Sequence, residues 1–228
     1  TENGRRPGYS IEALLNMRDV LGASPARAPL DRPAIIAVQN FKGGVGKSTV
    51  TTHLAHYFGV QGYRVLVVDC DSQATTTTLF GFNPHFNIAR EQTLYPYLSI
   101  DPTQTDLLYA VQKTPWPNVD LIPSNLELFD VEYELAASGA DGGSVLASRF
   151  RKLKRGLQDL ARDYDVVILD PAKMTRDREQ IIPALKNVLC RMYSANIRMN
   201  FRKQHLRNLP RNTSLSTTAC GANSPQVT

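Results

Sequence analysis

The chain has 228 residues, 42% of them hydrophobic and 21% charged, which suits a soluble α/β domain with additional ends. No stretch reaches the roughly 20 apolar residues of a membrane-spanning helix, and the first residues lack a signal-peptide core, so the expected location is the cytoplasm. The formal charge of +5 is unevenly placed: residues 1–172 carry 16 Lys and Arg against 19 Asp and Glu, a net of −3, whereas residues 173–228 carry 10 against 2, a net of +8. The high overall basicity therefore says little about the main domain. Cys70, Cys190 and Cys220 are too far apart for a CxxC pair or a zinc-type cluster, and Cys70 reads as a small buried thiol.

In chain order, Tyr9 to Leu21 reads as a short amphipathic helix capped by Ser10, and Gly22 to Pro33 as a Pro- and Ala-rich linker. Ala34 to Gln39 (AIIAVQ) is an apolar run of strand length. It leads into FKGGVGKST, Phe41 to Thr49, and a helix is expected over Lys47 to Tyr57. Arg64 to Asp69, Val119 to Ile122 and Val166 to Leu169 are three further strands. Between the last two, Leu146, Phe150, Leu153, Leu157, Leu160 and Tyr164 mark a helix over 146–164. Apolar strands alternating with helices predict a mainly parallel sheet with helices on both faces. Beyond Pro171 this rhythm stops. Ile181 to Tyr193 has helical spacing, and the polar, basic remainder has the composition of a disordered segment.

The glycine-rich loop carries the chemistry. Gly43, Gly44 and Gly46 have no Cβ, so the backbone can turn sharply and bring its N–H groups to phosphate oxygens. The helix that follows adds free N–H donors and partial positive charge. Lys47 is placed to reach β- and γ-phosphates, Ser48 to ligate Mg²⁺, and Gly43, Gly44, Val45, Gly46, Lys47, Ser48 and Thr49 form the nucleotide-binding set. The usual GxxxxGK[ST] pattern is not met, because Phe41 stands at its first glycine, followed by Lys42. Asp69 and Asp71 end one strand and Asp170 another, and in open parallel sheets ligands sit at the carboxyl ends of strands. Those carboxylates suit Mg²⁺ and water, and each taken singly also suits a turn or cap. Arg149, Arg151, Lys152, Lys154 and Arg155 form a basic cluster on the 146–164 helix. Its favoured reading is a solvated face, and its alternative a contact to DNA phosphates.

With these residues in hand, KGGVGKST with Lys42 resembles the deviant Walker A box of the ParA/MinD ATPases. VLVVDCDSQATTTTLFG resembles their DxDPQ box and DYDVVILDP their Walker B region, so the resemblance covers about Pro33 to Pro171. VQNFKGGVGKST, TLYPYL and VDLIPSNLELFDVEYEL are most similar to the RepA partition ATPases of repABC-type plasmids, and YSIEALLNMRDVLG to the end of the DNA-binding region of larger partition ATPases. The resemblance implies a P-loop NTPase fold, ATP and Mg²⁺ as cofactors, and ATP hydrolysis. It gives catalytic roles to Lys42, which crosses to the partner subunit's ATP, to Lys47 and to Asp71, which positions water. It gives metal roles to Ser48, Asp71 and Asp170, while Asp69 matches the motif with a weaker claim on direct chemistry. It also implies an ATP-dependent homodimer, non-specific and operator DNA as ligands, stimulation by a ParB/RepB-type protein, no membrane, and a nucleoid- or plasmid-associated location.

Two departures qualify it. Ser72 replaces the usual proline, and AKMTRDREQ follows Asp170-Pro171 where a second proline and further strands are expected. The domains are therefore read as 1–32, the helix and linker; 33–172, the ATPase domain; and 173–228, a divergent basic tail from a shifted reading frame or rearranged gene. The absence of an initiating Met suggests a fragment. The alternative functions are a non-catalytic DNA-binding autorepressor or an inactive truncated relative. A MinD-type membrane ATPase lacks its C-terminal amphipathic helix here, and a metal-cluster carrier its paired cysteines.

Overall fold

The computed structural model describes residues 8–25, 33–40, 43–99, 101–137 and 142–171. The four apolar runs become the parallel strands β1 (Ala34–Ala37), β2 (Val65–Cys70), β4 (Val119–Ile122) and β5 (Val166–Pro171). A two-residue strand, β3 (Gln112–Lys113), pairs antiparallel with β4, and the sheet order is β1-β5-β2-β4-β3. β5 is inserted between β1 and β2, so the last strand among the described residues lies inside the sheet and ends beside both earlier strands.

Alternation along the strands divides the core between two faces. Val65, Val67, Val119, Leu121, Val166 and Ile168 form one face with Ala55 of helix α2 (Lys47–Val60) and Phe80. Leu66, Val68, Ile122, Val167 and Leu169 form the other, with Tyr97 of α4 (Tyr95–Leu98), Leu157 and Leu160 at the end of α6 (Gly142–Leu160), and Tyr164 just beyond it. Each fully buried aliphatic side chain contributes about 1.5–3 kcal/mol, which explains why β2 and β5 are apolar in nearly every position. The long helix starts earlier than its apolar stripe implied, and its last turn tightens into a 3₁₀ segment, Ala161–Asp163. That segment delivers Tyr164 to the core, where its hydroxyl donates to Asp120 Oδ2 at 2.7 Å.

The expected N-terminal helix is α1 (Ile11–Val20). Ser10 Oγ accepts from the Ala13 N–H, and Arg18 donates to Gln61 Oε1 at the end of α2. Three short helices were not foreseen: α3 (Thr75–Leu79), α4 and α5 (Phe129–Ala137).

The solvated-face reading of the basic cluster needs correction. Arg149 is buried, donating to Glu134 Oε2 at 3.1 Å and to the Val131 carbonyl. Lys152 donates to the Tyr97 carbonyl at 2.6 Å and lies 4.4 Å from that ring's centre. These two cations fasten α6 to α5 and α4, and of the five only Arg151 and Arg155 are exposed. The expected helix over 181–193 and the basic tail lie outside the described residues. No described helix is long and apolar enough to cross a membrane.

Candidate functional site

The loop after β1 turns through two left-handed glycines, Gly44 at φ 71° and Gly46 at φ 84°. A Cβ would be strained at either position, which is the local reason for glycine. Gly46 is also the N-cap of α2 and has no side chain to cap it. The first intrahelical bond runs from the Val50 N–H to the Gly46 carbonyl at 2.8 Å, so the N–H groups of Lys47, Ser48 and Thr49 have no acceptor within the helix. A 14-residue helix thus opens with free donors, partial positive charge and the Lys47 ammonium, a combination suited to an anion. Phe41 and Lys42 lie outside the described residues.

The carboxylates converge on the same edge of the sheet. The Val38 N–H donates to the Leu169 carbonyl at 3.0 Å, so the loop departs from β1 directly beside Asp170. Asp170 is in register with Asp69 on β2. Asp69 is fully buried and saturated: it accepts from the Asp71 N–H at 3.1 Å, the Thr77 N–H at 2.8 Å and the Thr77 hydroxyl at 2.7 Å. Burial pushes its carboxyl up to about 7 against those hydrogen bonds, and the neighbouring Asp170 charge adds to the rise. Asp69 is therefore a structural acceptor that folds the β2–α3 turn. Asp71 is partly exposed, accepts only a local bond from the Gln73 N–H among the described contacts, and precedes a left-handed Ala74 at φ 51°.

Asp170 differs from both. It is 1% exposed, its Oδ2 accepts from the Thr76 hydroxyl at 2.6 Å, and its Oδ1 is buried with no partner among the described residues. An orphaned carboxylate oxygen is costly unless water or a cation satisfies it. The described residues hold no cluster of three His, Cys, Asp or Glu side chains of the kind that cages a metal. One free carboxylate oxygen and a helix-start hydroxyl fit Mg²⁺, which is commonly held through one or two carboxylates, waters and a ligand's phosphates. Zinc or calcium would demand more protein ligands. Cys70 is partly buried, and burial raises its thiol above the ordinary range, so it offers no thiolate to this edge.

Sequence reasoning assigned nothing to Thr76, Thr77 or Ser124. Thr77 Oγ1 donates to Asp69 and accepts from the Ser124 N–H at 2.9 Å, tying the ends of β2 and β4 together. The run of four threonines after DCDSQA was the available signal: consecutive hydroxyls beside paired carboxylates can serve both.

This strand–loop–helix with its carboxylate edge matches the family described as an AAA domain over residues 33–176, well over half the chain. SopA of Escherichia coli K12 is 38% identical over 169 residues, covering 74% of this chain and 43% of SopA. The chain belongs to the ParA family of partition ATPases. Among solved structures, cobyrinic acid a,c-diamide synthase from Mycobacterium smegmatis with a bound ATP analogue and magnesium is 30% identical, with TM-score 0.51 over 62% of this chain and 51% of that one. A plasmid partition protein from Borrelia burgdorferi is 27% identical, with TM-score 0.51 over 70% and 62%. The ParA-family fold is thus the one expected from the strand pattern, a mostly parallel sheet flanked by helices. The chain spans less than half the length of the first curated ParA-family relatives it matches.

Proposed function

We propose that this chain binds ATP with Mg²⁺ at Gly43, Gly44, Val45, Gly46, Lys47, Ser48 and Thr49 and hydrolyses it as a plasmid- or chromosome-partitioning ATPase. The observation that carries this reading is the uncapped start of α2 behind two left-handed glycines, on a loop that leaves β1 next to the end of β5, where Asp170 has an unpartnered oxygen. The backbone donors and Lys47 bind and orient the phosphates; Ser48 and Asp170 hold the ion, Asp170 through water; Asp71 orients the attacking water. When bound, Mg²⁺ neutralises charge on the β- and γ-phosphates. Lys42, in the deviant position of the loop, would reach the ATP of a second copy and so make dimerisation depend on nucleotide.

The finer family behaviour is part of the same proposal. An ATP-dependent homodimer would bind DNA in the cytoplasm, at nucleoid or plasmid, and a ParB-type protein would speed hydrolysis and release. ATP then sets the population of dimers, which suits slow turnover. The domain division is proposed likewise, with residues 33–172 as the ATPase domain and residues 173–228 as a divergent tail.

The test is phosphate release and binding of a fluorescent ATP analogue by the full chain, with Lys47→Ala as the comparison. Lys47 is only half-buried at a helix start, so the variant should fold normally while nucleotide affinity or turnover falls by about 100-fold or more. Equal binding and equal turnover by Lys47→Ala and the parent chain would refute the assignment of this loop.

A further inference from the structure

Thr76 is fully buried on α3, and its hydroxyl makes a 2.6 Å bond to a carboxylate 94 residues further along the chain. A carboxylate's two oxygens exchange by rotation about a soft torsion, so a buried carboxylate with nothing to distinguish them has no fixed orientation. Here a β-branched side chain with a stiff first torsion holds a donor against Oδ2. Oδ1 is left as the atom without a partner among the described residues. The adjacent Thr77 is bonded quite differently: its hydroxyl serves Asp69, which has three donors and no spare role. Two consecutive threonines of the same chemistry therefore have separable jobs.

We propose that Thr76 is a positioning residue for Mg²⁺-dependent nucleotide binding. Its hydroxyl fixes the Asp170 carboxylate so that Oδ1 is the oxygen presented to the ion's water shell. This rests on the ATP–Mg²⁺ reading of the site. Thr76 also lies only five residues beyond Asp71, at the start of the helix that follows the turn at the end of β2. One short segment thus carries the residue assigned to the attacking water and the residue that orients the ion's carboxylate. Partners of this outer kind change metal affinity by about 10- to 100-fold when removed.

The experiment titrates Mg²⁺ against binding of a fluorescent ATP analogue by the full chain, and repeats the binding in EDTA. Thr76→Val keeps the shape and removes the donor. The Mg²⁺ midpoint should rise by about tenfold or more, with the EDTA affinity unchanged. Thr76→Ser restores the donor and should return the midpoint to within about threefold of the parent. Thr77→Val should lower the unfolding midpoint in urea and leave the Mg²⁺ midpoint where it was. Thr76→Ala serves in place of Thr76→Val if the valine variant does not fold. A folded donor-less variant with the parent's Mg²⁺ midpoint overturns the inference alone, as does an equal loss of affinity in EDTA. A parent chain that binds no nucleotide at any Mg²⁺ concentration overturns the site reading and the inference with it.

Discussion

Asp69 illustrates how a motif residue can be structural. Its carboxyl rises from 3.8 to about 7 on folding because burial penalises the charged form more than its three donors favour it. The folded chain therefore holds this proton more tightly than the unfolded chain. The stability contributed is fully present below the unfolded value and is lost as pH rises through about 7. His56 acts in the opposite sense: burial, with His53 nearby, lowers it from 6.5, so its contribution is lost as pH falls. The informative quantity is thus the difference between the parent and Asp69→Asn, in which His56 cancels. Between about pH 5 and 8 the parent should lose stability relative to Asp69→Asn, on top of a constant deficit in the variant from a mismatched amide against the Asp71 N–H. Urea unfolding across that range measures it, and parallel pH profiles would exclude the shifted proton. The glycine loop and the strand-ending aspartates were legible in the sequence because their meaning is local: a bend without Cβ, a helix start, a carboxylate at a strand end. Thr76 and Ser124 were not, because their partners are fixed by strand order across 94 and 47 residues.

At the scale of elements, α6 seats on α4 through a glycine. A Cβ at Gly156 would lie 2.7 Å from Tyr97 Oη, 2.9 Å from Tyr97 Cζ and 3.0 Å from Leu107 Cδ1. That approach lets the Tyr97 hydroxyl reach the Lys152 carbonyl at 2.8 Å while Lys152 reaches the Tyr97 carbonyl. Gly156→Ala gains about 1 kcal/mol of helix propensity but forces a well-packed ring to move, at about 1–3 kcal/mol. The net expectation is a loss of up to about 2 kcal/mol by urea unfolding, with exposed Gln158→Ala close to neutral. A stabilised Gly156→Ala would mean that the ring yields freely. The same helix shows why part of the fold escaped sequence reading. Arg149, Lys152 and Gly156 follow at helical spacing on one side, and charge suggested solvent there, whereas Glu134 and a backbone carbonyl made burial of the cations tolerable. The four parallel strands and the long helices were legible because apolar runs and a 3.6-residue stripe survive any context. The short α3 was hidden by four threonines of low helix propensity, and α4 by a proline in its first turn.

For the molecule as a whole, the open question of stability lies at β1. It is the edge of the described sheet, four apolar residues long, and all four are only partly buried, whereas the four residues of β4 are buried throughout. Parallel sheets are stable when both faces and edges are covered, and an apolar edge without charge or proline is a template for pairing. The register identifies which groups are open. Ala34 and Val38 donate their N–H groups towards β5, so by the alternation of a parallel pair Ile35 and Ala37 turn theirs to the other side, where no described strand pairs. Ala37→Pro would remove one outward donor and keep every bond to β5, because proline lacks only the N–H that β5 does not use. Sedimentation velocity without nucleotide should show the parent chain self-associating with rising concentration, and Ala37→Pro doing so markedly less. Omitting ATP separates this edge contact from the nucleotide-dependent dimer proposed above. If both chains sediment alike at every concentration, the β1 edge is not a contact, and the covering that a parallel sheet requires is already supplied within the chain.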